Sequence, residues 1–159
     1  MKINAIRGKN IASLYGEFDI EFNSEPLAGH DIFAITGATG SGNSSILDAM
    51  CLALFGMTPR LPNKRAGIAE YAVIDEGDKT LNLHDPRRLL SKGEKDCYAE
   101  VEFTANDVES YRSRWEASRA TPRKGQAGKM KDAEMRLSRI VSNTLEESKK
   151  SVAELLGMT

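Results

Sequence analysis

The chain has 159 residues, of which 22 are Lys or Arg and 23 are Asp or Glu, so its formal net charge is −1. This balance excludes a protein that coats nucleic acid by overall charge, although it leaves room for a local basic patch. Because 40% of the residues are hydrophobic and 28% are charged, we expect one folded domain over residues 1–159. The longest apolar run, residues 49–55, is far shorter than the roughly 18 residues of a membrane span. With no signal peptide visible, we expect a cytoplasmic domain without a membrane partner.

The first part of the chain predicts strands, a glycine-rich loop and a helix. Alternating apolar residues predict a first strand over residues 2–7 and a second over 18–22, joined by a turn-rich connection over 8–16. Residues 32–35 are a continuous apolar run, which is typical of a strand buried on both faces. From Ser44 onward the apolar residues recur with helical spacing and predict an amphipathic helix that ends at the next glycine.

The second part of the chain predicts a hairpin and a final helix. Residues 62–96 mix Gly, Pro, Asn and charged residues, which indicates a long surface segment. The alternation over residues 97–104 and 111–116 predicts two paired strands, followed by a loop over 117–131. Apolar residues that share one helical face predict a helix over residues 145–156.

The loop after residue 36 carries the clearest chemical signal. Residues 37–44 match the pattern G-x-x-x-x-G-K-[ST] except that Asn43 occupies the lysine position. Glycines let backbone N–H groups turn toward phosphate oxygens, and a following helix adds the positive end of its dipole. Ser44 offers a hydroxyl to Mg²⁺ and Ser45 offers one to a phosphate. The predicted ATP phosphate-binding residues are Gly37, Ala38, Thr39, Gly40, Ser41, Gly42, Asn43, Ser44 and Ser45. The alternative is a glycine-rich turn that holds no ligand.

Asn43 changes what such a loop can do. A lysine in this position places a charge on the β- and γ-phosphates, whereas an asparagine side chain is shorter and neutral. One lost charge-assisted hydrogen bond costs about 1.5–3 kcal/mol in affinity. Hydrolysis loses more, because charge stabilisation in a transition state is typically worth ~10²–10³ per donor. The sequence therefore predicts weak nucleotide binding and impaired hydrolysis.

Over a longer stretch, the chain resembles the bacterial SbcC family, the SMC-like ATPase subunits of SbcCD nucleases. The similarity lies in residues 35–61, in the start of the chain over 1–14, and in later segments at 85–90, 98–103 and 111–115. It implies an α/β fold, the N-terminal lobe of a P-loop NTPase head of the ABC/SMC type, with a mixed sheet and an antiparallel hairpin. By the same resemblance, Ser13 matches a loop that touches the nucleotide.

The resemblance also implies a function and partners. It implies an ATP-binding lobe of a DNA double-strand-break repair ATPase, which uses ATP and Mg²⁺ to couple ATP binding and hydrolysis to DNA-end processing. The implied partners are an SbcD-like nuclease subunit, the C-terminal lobe of the same ATPase, a second head in a homodimer, and double-stranded DNA ends. The glutamine loop, signature motif, Walker B carboxylates and coiled coil of the family are not found in residues 1–159, so we expect this chain alone to be inactive. The alternative is a degenerate, non-hydrolysing structural or DNA-binding lobe, because Asn43 replaces the lysine.

Two further segments have both a functional and a plain interpretation. Residues 73–76 imitate a Walker B strand, but they lie in the predicted surface segment, and we favour a surface role. Residues 112–139 carry nine Lys or Arg against three acidic residues, which indicates either a DNA footprint or a solvated hairpin and loop. The candidate DNA contacts are Arg119, Arg123 and Lys124.

Overall fold

The computed structural model describes residues 1–30, 32–62, 81–121, 128–142 and 144–158. Within these ranges, six strands and two α-helices are joined by loops and by a short 3₁₀ helix at Pro86–Leu89. The elements are β1 (Lys2–Ile11), β2 (Leu14–Glu21), α1 (Asn43–Phe55), β3 (Asp96–Thr104), β4 (Ser110–Ser118), β5 (Glu134–Val141), β6 (Thr144–Glu147) and α2 (Val152–Leu156). No helix in these ranges is both long and apolar enough to cross a membrane.

The six strands form one sheet in the order β2-β1-β3-β4-β5-β6. All five neighbouring pairs run antiparallel, and the predicted β3–β4 hairpin is confirmed, with Phe103 opposite Tyr111. The resemblance implies a mixed sheet, whereas the sheet of the described residues is antiparallel throughout. The α/β composition is confirmed.

The predicted buried strand over residues 32–35 is wrong. These residues form no strand, and Ile32 is 91% exposed. A strand covered on both faces needs neighbouring strands at its edges, and no strand in the described ranges pairs with this run. The aromatic ring of Phe33 instead packs on Phe22, with ring centroids 4.7 Å apart.

Helix α1 lies on one face of the sheet, over β1, β3 and β4. Ala49 and Ala53 are fully buried, and their small side chains allow the helix to approach the sheet closely. The Ser113 hydroxyl on β4 donates a hydrogen bond to the Ala53 carbonyl at 2.6 Å. The helix itself is confirmed, but the predicted apolar face is only partly buried, because Leu47 and Phe55 are 49% and 43% exposed. Since the helix is apolar on several sides, its periodicity does not single out the face that packs on the sheet.

The opposite face of the sheet carries a network of ion pairs. Arg7 on β1 contacts carboxylates of both neighbouring strands, and Glu102 on β3 accepts hydrogen bonds from Arg7 and Arg112. Burial alone would raise the pKa of Glu102, but these arginine hydrogen bonds outweigh it and hold the pKa below its ordinary value. The pairs join Arg7 to Asp19, Glu21, Glu100 and Glu102, and join Arg112 and Arg114 to Glu100, Glu102 and Glu116.

The connection between β1 and β2 is far shorter than the sequence predicts. The strands extend to Ile11 and resume at Leu14, so only two residues separate them. Gly8, which suggests a turn, lies inside β1, where a Cβ would come within 2.6 Å of the Phe18 ring. At this position, glycine allows the Phe18 ring to lie close to the strand, and it does not form a turn.

The predicted helix over residues 145–156 is also wrong in its first half. Residues 144–147 pair with β5 as β6, and only Val152–Leu156 are helical. The Ser151 hydroxyl accepts from the Glu154 N–H, and the Glu154 carboxylate accepts from the Ser151 N–H. This reciprocal capping box fixes the start of α2 at Ser151.

Candidate functional site

The glycine-rich loop of residues 37–42 leads directly into α1. The Ser41 N–H donates to the Ala38 carbonyl at 3.0 Å and closes a tight turn. Gly40 and Gly42 have φ values of +86° and +98°, a region in which other residues are strained. Gly42 is the N-cap of α1 and has no side chain to cap the helix, so the first N–H groups of α1 have no side-chain acceptor at the cap. Uncapped N–H groups at a helix start are the usual ligands of an anion.

The Asn43 side chain folds back over this loop. Its Oδ1 accepts a hydrogen bond from the Ser41 hydroxyl at 3.2 Å, and its Nδ2 lies 3.5 Å from the Gly37 carbonyl oxygen. A Cβ on Gly37 would lie 2.4 Å from the Ser41 Oγ, so the loop is tightly folded at this point. Asn43 therefore links the two ends of the loop by neutral contacts and brings no positive charge to it.

The two serines that follow differ in exposure. Ser44 is exposed, whereas Ser45 is 1% exposed and belongs to the buried side of α1. The Ser45 Oγ lies 2.9 Å from the Oγ of Ser13, in the short turn between β1 and β2. The structure thus brings Ser13 beside one of the predicted phosphate-binding residues, and its neighbour there is a protein hydroxyl. The roles predicted for Ser13, Ser44 and Ser45 toward a nucleotide stay predictions.

A buried carboxylate on α1 holds the segment that follows the helix. Asp48 is 5% exposed; its Oδ1 accepts from the Thr58 hydroxyl at 2.6 Å, and its Oδ2 forms an ion pair with Arg60 at 2.7 Å. Burial and the nearby Asp48 carboxylate both raise the pKa of the Cys51 thiol. Asp48 therefore ties the segment after the helix to α1. An acidic residue within the otherwise apolar stretch of the predicted helix is the signal of this contact in the sequence.

The basic segment over residues 112–139 is partly neutralised. Arg112, Arg114, Arg136 and Arg139 all form ion pairs with carboxylates of the sheet. Arg119 donates to the Gly128 carbonyl at 3.3 Å, and the other two candidate DNA contacts, Arg123 and Lys124, lie outside the described residues. The Walker B-like residues 73–76 lie outside them as well.

The loop follows the P-loop pattern except at Asn43, and it leads into a helix as a P-loop does. The AAA domain family matches residues 5–156, and the chain belongs to that family.

The curated relatives of this chain indicate a more specific similarity than the domain family does. The chain is 50% identical over 120 residues to the SbcC subunit of the nuclease SbcCD from Pseudomonas aeruginosa, and 48% identical over 120 residues to the same protein from Rhodobacter capsulatus. Each of these matches covers 76% of this chain and 10% of the relative. The Bacillus subtilis protein of the same name is 47% identical over 72 residues, or 45% of this chain and 6% of the relative. The chain therefore spans about a tenth of the length of the first two relatives, and it is similar to a part of the SbcC subunit.

Proposed function

We propose that this chain is the ATP-binding N-terminal lobe of a cytoplasmic DNA double-strand-break repair ATPase that resembles SbcC. The observation that carries the proposal is the junction of the glycine loop and α1. There, Gly42 leaves the helix start without a side-chain cap, and the loop bends at two glycines of positive φ. Backbone donors at such a junction suit the phosphates of a nucleotide.

ATP and Mg²⁺ fit the residues at this junction. The predicted phosphate-binding residues, 37–45, combine backbone N–H groups with the exposed side chain of Ser44. A serine hydroxyl at the start of a P-loop helix is the usual protein ligand of Mg²⁺ in such loops. We assign the Mg²⁺ contact to Ser44 and the phosphate contacts chiefly to the backbone of the loop.

The partners of this lobe follow from the relatives with which it shares sequence. Their name, which makes each of them one subunit of the SbcCD nuclease, supports an SbcD-like nuclease as the partner. We further propose that the lobe combines with a C-terminal lobe of the same ATPase and a second head, and that it acts at double-stranded DNA ends. ATP binding and hydrolysis would then control the processing of DNA ends by the nuclease.

Asn43 favours a second candidate, a degenerate lobe that does not hydrolyse ATP. The side chain brings only neutral contacts to the loop, at Ser41 and near the Gly37 carbonyl. The fixed charge that would stabilise the transferred phosphoryl group is missing from this position. Such a lobe would serve as a structural or DNA-binding module.

Calorimetric titration with Mg·ATP, together with a phosphate-release assay, separates these candidates. We expect weak, saturable binding that Ser44→Ala weakens, and no hydrolysis above background. Ser138→Ala, on the ion-paired face of the sheet, is the matched control and should bind as the parent does. An absence of nucleotide binding with retained binding of DNA would favour the degenerate module. Steady phosphate release that Ser44→Ala abolishes would contradict the expected inactivity.

We assign the DNA contact to Arg119, Arg123 and Lys124. The segregation of positive charge into residues 112–139, which carry nine Lys or Arg against three acidic residues, supports this assignment. Replacing all three residues by alanine should weaken duplex binding and reduce its salt slope by up to about 3, since each phosphate contact contributes roughly 0.9. A triple alanine variant of the exposed residues Lys2, Lys92 and Lys149 removes the same charge and is the control. If the salt dependence of DNA binding were unchanged in the variant of Arg119, Arg123 and Lys124, the DNA contact would lie elsewhere.

A further inference from the structure

The short turn between β1 and β2 contacts the start of α1 at two successive places. The hydroxyl oxygens of Ser13 and Ser45 lie 2.9 Å apart, within hydrogen-bond distance. The Leu14 side chain covers Gly42, so that a Cβ on Gly42 would lie 2.4 Å from the Leu14 Cδ2. Ser13 of the turn therefore contacts a residue in the first turn of α1, and Leu14, the first residue of β2, contacts the N-cap of α1.

This turn is held in place by the rest of the domain. Asn10 and Ala12 both have φ of +52°, a conformation that residues with a Cβ adopt only when their surroundings impose it. The Ala12 N–H donates to the Leu89 carbonyl at 2.7 Å, and the Ser91 hydroxyl donates to the Ala12 carbonyl at 2.9 Å. Asn10 is 3% exposed, and its Nδ2 donates to the Asp96 carbonyl at 3.1 Å. The backbone that carries Ser13 is thus fixed before any ligand binds.

Ser45 is the residue of α1 on which this turn acts. It is 1% exposed, and Ser13 is the partner of its hydroxyl. Little of the Ser45 side chain is accessible to a phosphate, whereas the Ser44 side chain is exposed beside it. The Ser45 side chain is therefore better placed to hold the helix start than to bind a phosphate.

We propose that Ser13 is a positioning residue, which acts on a bound nucleotide through the Ser45 hydroxyl and not by touching the nucleotide itself. The hydrogen bond fixes the first turn of α1 against the β1–β2 turn, and this holds the N–H groups of the helix start in the direction of the phosphates. The inference rests on the proposed function, and it removes the Ser45 hydroxyl from the set of phosphate ligands. Loss of either hydroxyl should have the same effect, because both belong to one hydrogen bond.

A double-mutant cycle on nucleotide affinity tests the inference. Ser13→Ala and Ser45→Ala should each weaken Mg·ATP binding by roughly two- to tenfold, the range for one neutral hydrogen bond. The double variant should bind Mg·ATP no more weakly than the single variant with the lower affinity. Ser13→Thr, which keeps the hydroxyl, should bind as the parent does. A direct contact from Ser13 to the nucleotide would make the two losses multiply, and that result would overturn the inference.

Amide hydrogen exchange of the ligand-free chain separates this inference from the proposed function. In Ser13→Ala and in Ser45→Ala, the amides of residues 42–46 should exchange faster, and by the same factor. The control Ser138→Ala should leave their exchange unchanged. Unchanged exchange in Ser13→Ala would overturn the positioning role even if nucleotide binds. A parent chain that binds no nucleotide would refute the proposed function, while the exchange rates would still decide whether Ser13 orders the helix start.

Discussion

Replacing Asn43 by lysine tests most directly whether the loop of residues 37–42 holds phosphates. In the ligand-free chain, the asparagine Oδ1 accepts a hydrogen bond from the Ser41 hydroxyl at 3.2 Å, and its Nδ2 donates to the Gly37 carbonyl at 3.5 Å. Lysine cannot accept the Ser41 hydrogen bond, so the substitution also removes these neutral contacts. The uncapped N–H groups at the start of α1 are the same in both variants, so the charge and reach of the side chain at position 43 are the main difference toward a phosphate.

The gain in affinity can be worked from this difference. A charge-assisted hydrogen bond to a phosphate is worth about 1.5–3 kcal/mol, or roughly ten- to hundredfold in Kd. We expect Asn43→Lys to tighten Mg·ATP binding by that amount. ADP should gain less, because it lacks the γ-phosphate that the lysine also reaches. Hydrolysis should stay absent, because the new side chain supplies no carboxylate to organise metal and water.

Calorimetric titration of both variants with ATP and ADP at physiological salt is the assay. Leu47→Lys is the matched control: Leu47 is 49% exposed on the same helix and lies one turn further from the loop. It adds the same charge without the charge-assisted hydrogen bond to a phosphate, and should change affinity by less than about threefold. Equal affinities of the parent and Asn43→Lys would mean that the loop does not hold nucleotide as a P-loop does, and the site assignment would be withdrawn.

Three further predictions concern stability and reactivity. Ser113→Ala should lower the free energy of unfolding by about 1–3 kcal/mol in urea denaturation, because the buried Ala53 carbonyl loses its 2.6 Å hydrogen bond. Glu102→Gln should reduce the loss of stability that occurs below about pH 4.5. The carboxylate of Glu102, whose pKa is lowered in the folded state, stabilises that state at pH values above the pKa of the unfolded chain. This stabilisation is lost as the pH falls toward the lower pKa of the folded state. Thiol labelling at pH 8 should modify Cys51 before Cys97, because burial raises the pKa of Cys97 to about 12.

Each of these measurements has its own control. Ser138→Ala removes a hydroxyl from β5 on the ion-paired face and should unfold at nearly the parental urea concentration. For the loss of stability at low pH, the control is Glu147→Gln. It removes an exposed carboxyl on β6 and should leave the pH dependence of stability as it is in the parent. Labelling in urea should bring the two thiols to similar rates, and a faster Cys97 in the folded chain would contradict its assigned burial.

Local patterns predicted the loop and the helix that follows it. Both depend on neighbouring residues: glycines at positions of positive φ, helical spacing from Ser44, and Gly56 as the C-cap, which the structure confirms. The β3–β4 hairpin was predicted for the same reason, because alternation along two nearby strands is visible in the sequence.

Contacts between distant residues could not be read from such patterns. Ser13 and Ser45 are 32 positions apart, and nothing in either segment signals that their hydroxyls meet. The face of α1 that packs on the sheet is chosen by the small residues Ala49 and Ala53, whereas the apolar spacing also included the exposed Leu47. Residues 32–35 have the composition of a buried strand, but pairing depends on neighbours that a local pattern does not contain.

The packing of Leu14 on Gly42 has a consequence for genetics. An alanine at position 42 faces two obstacles, a φ of +98° and a leucine methyl group 2.4 Å from its Cβ. Only the second can be relieved from elsewhere in the chain. A selection for revertants of Gly42→Ala should therefore return smaller residues at position 14, and these suppressors should restore the phenotype in part. Full reversion should require glycine itself.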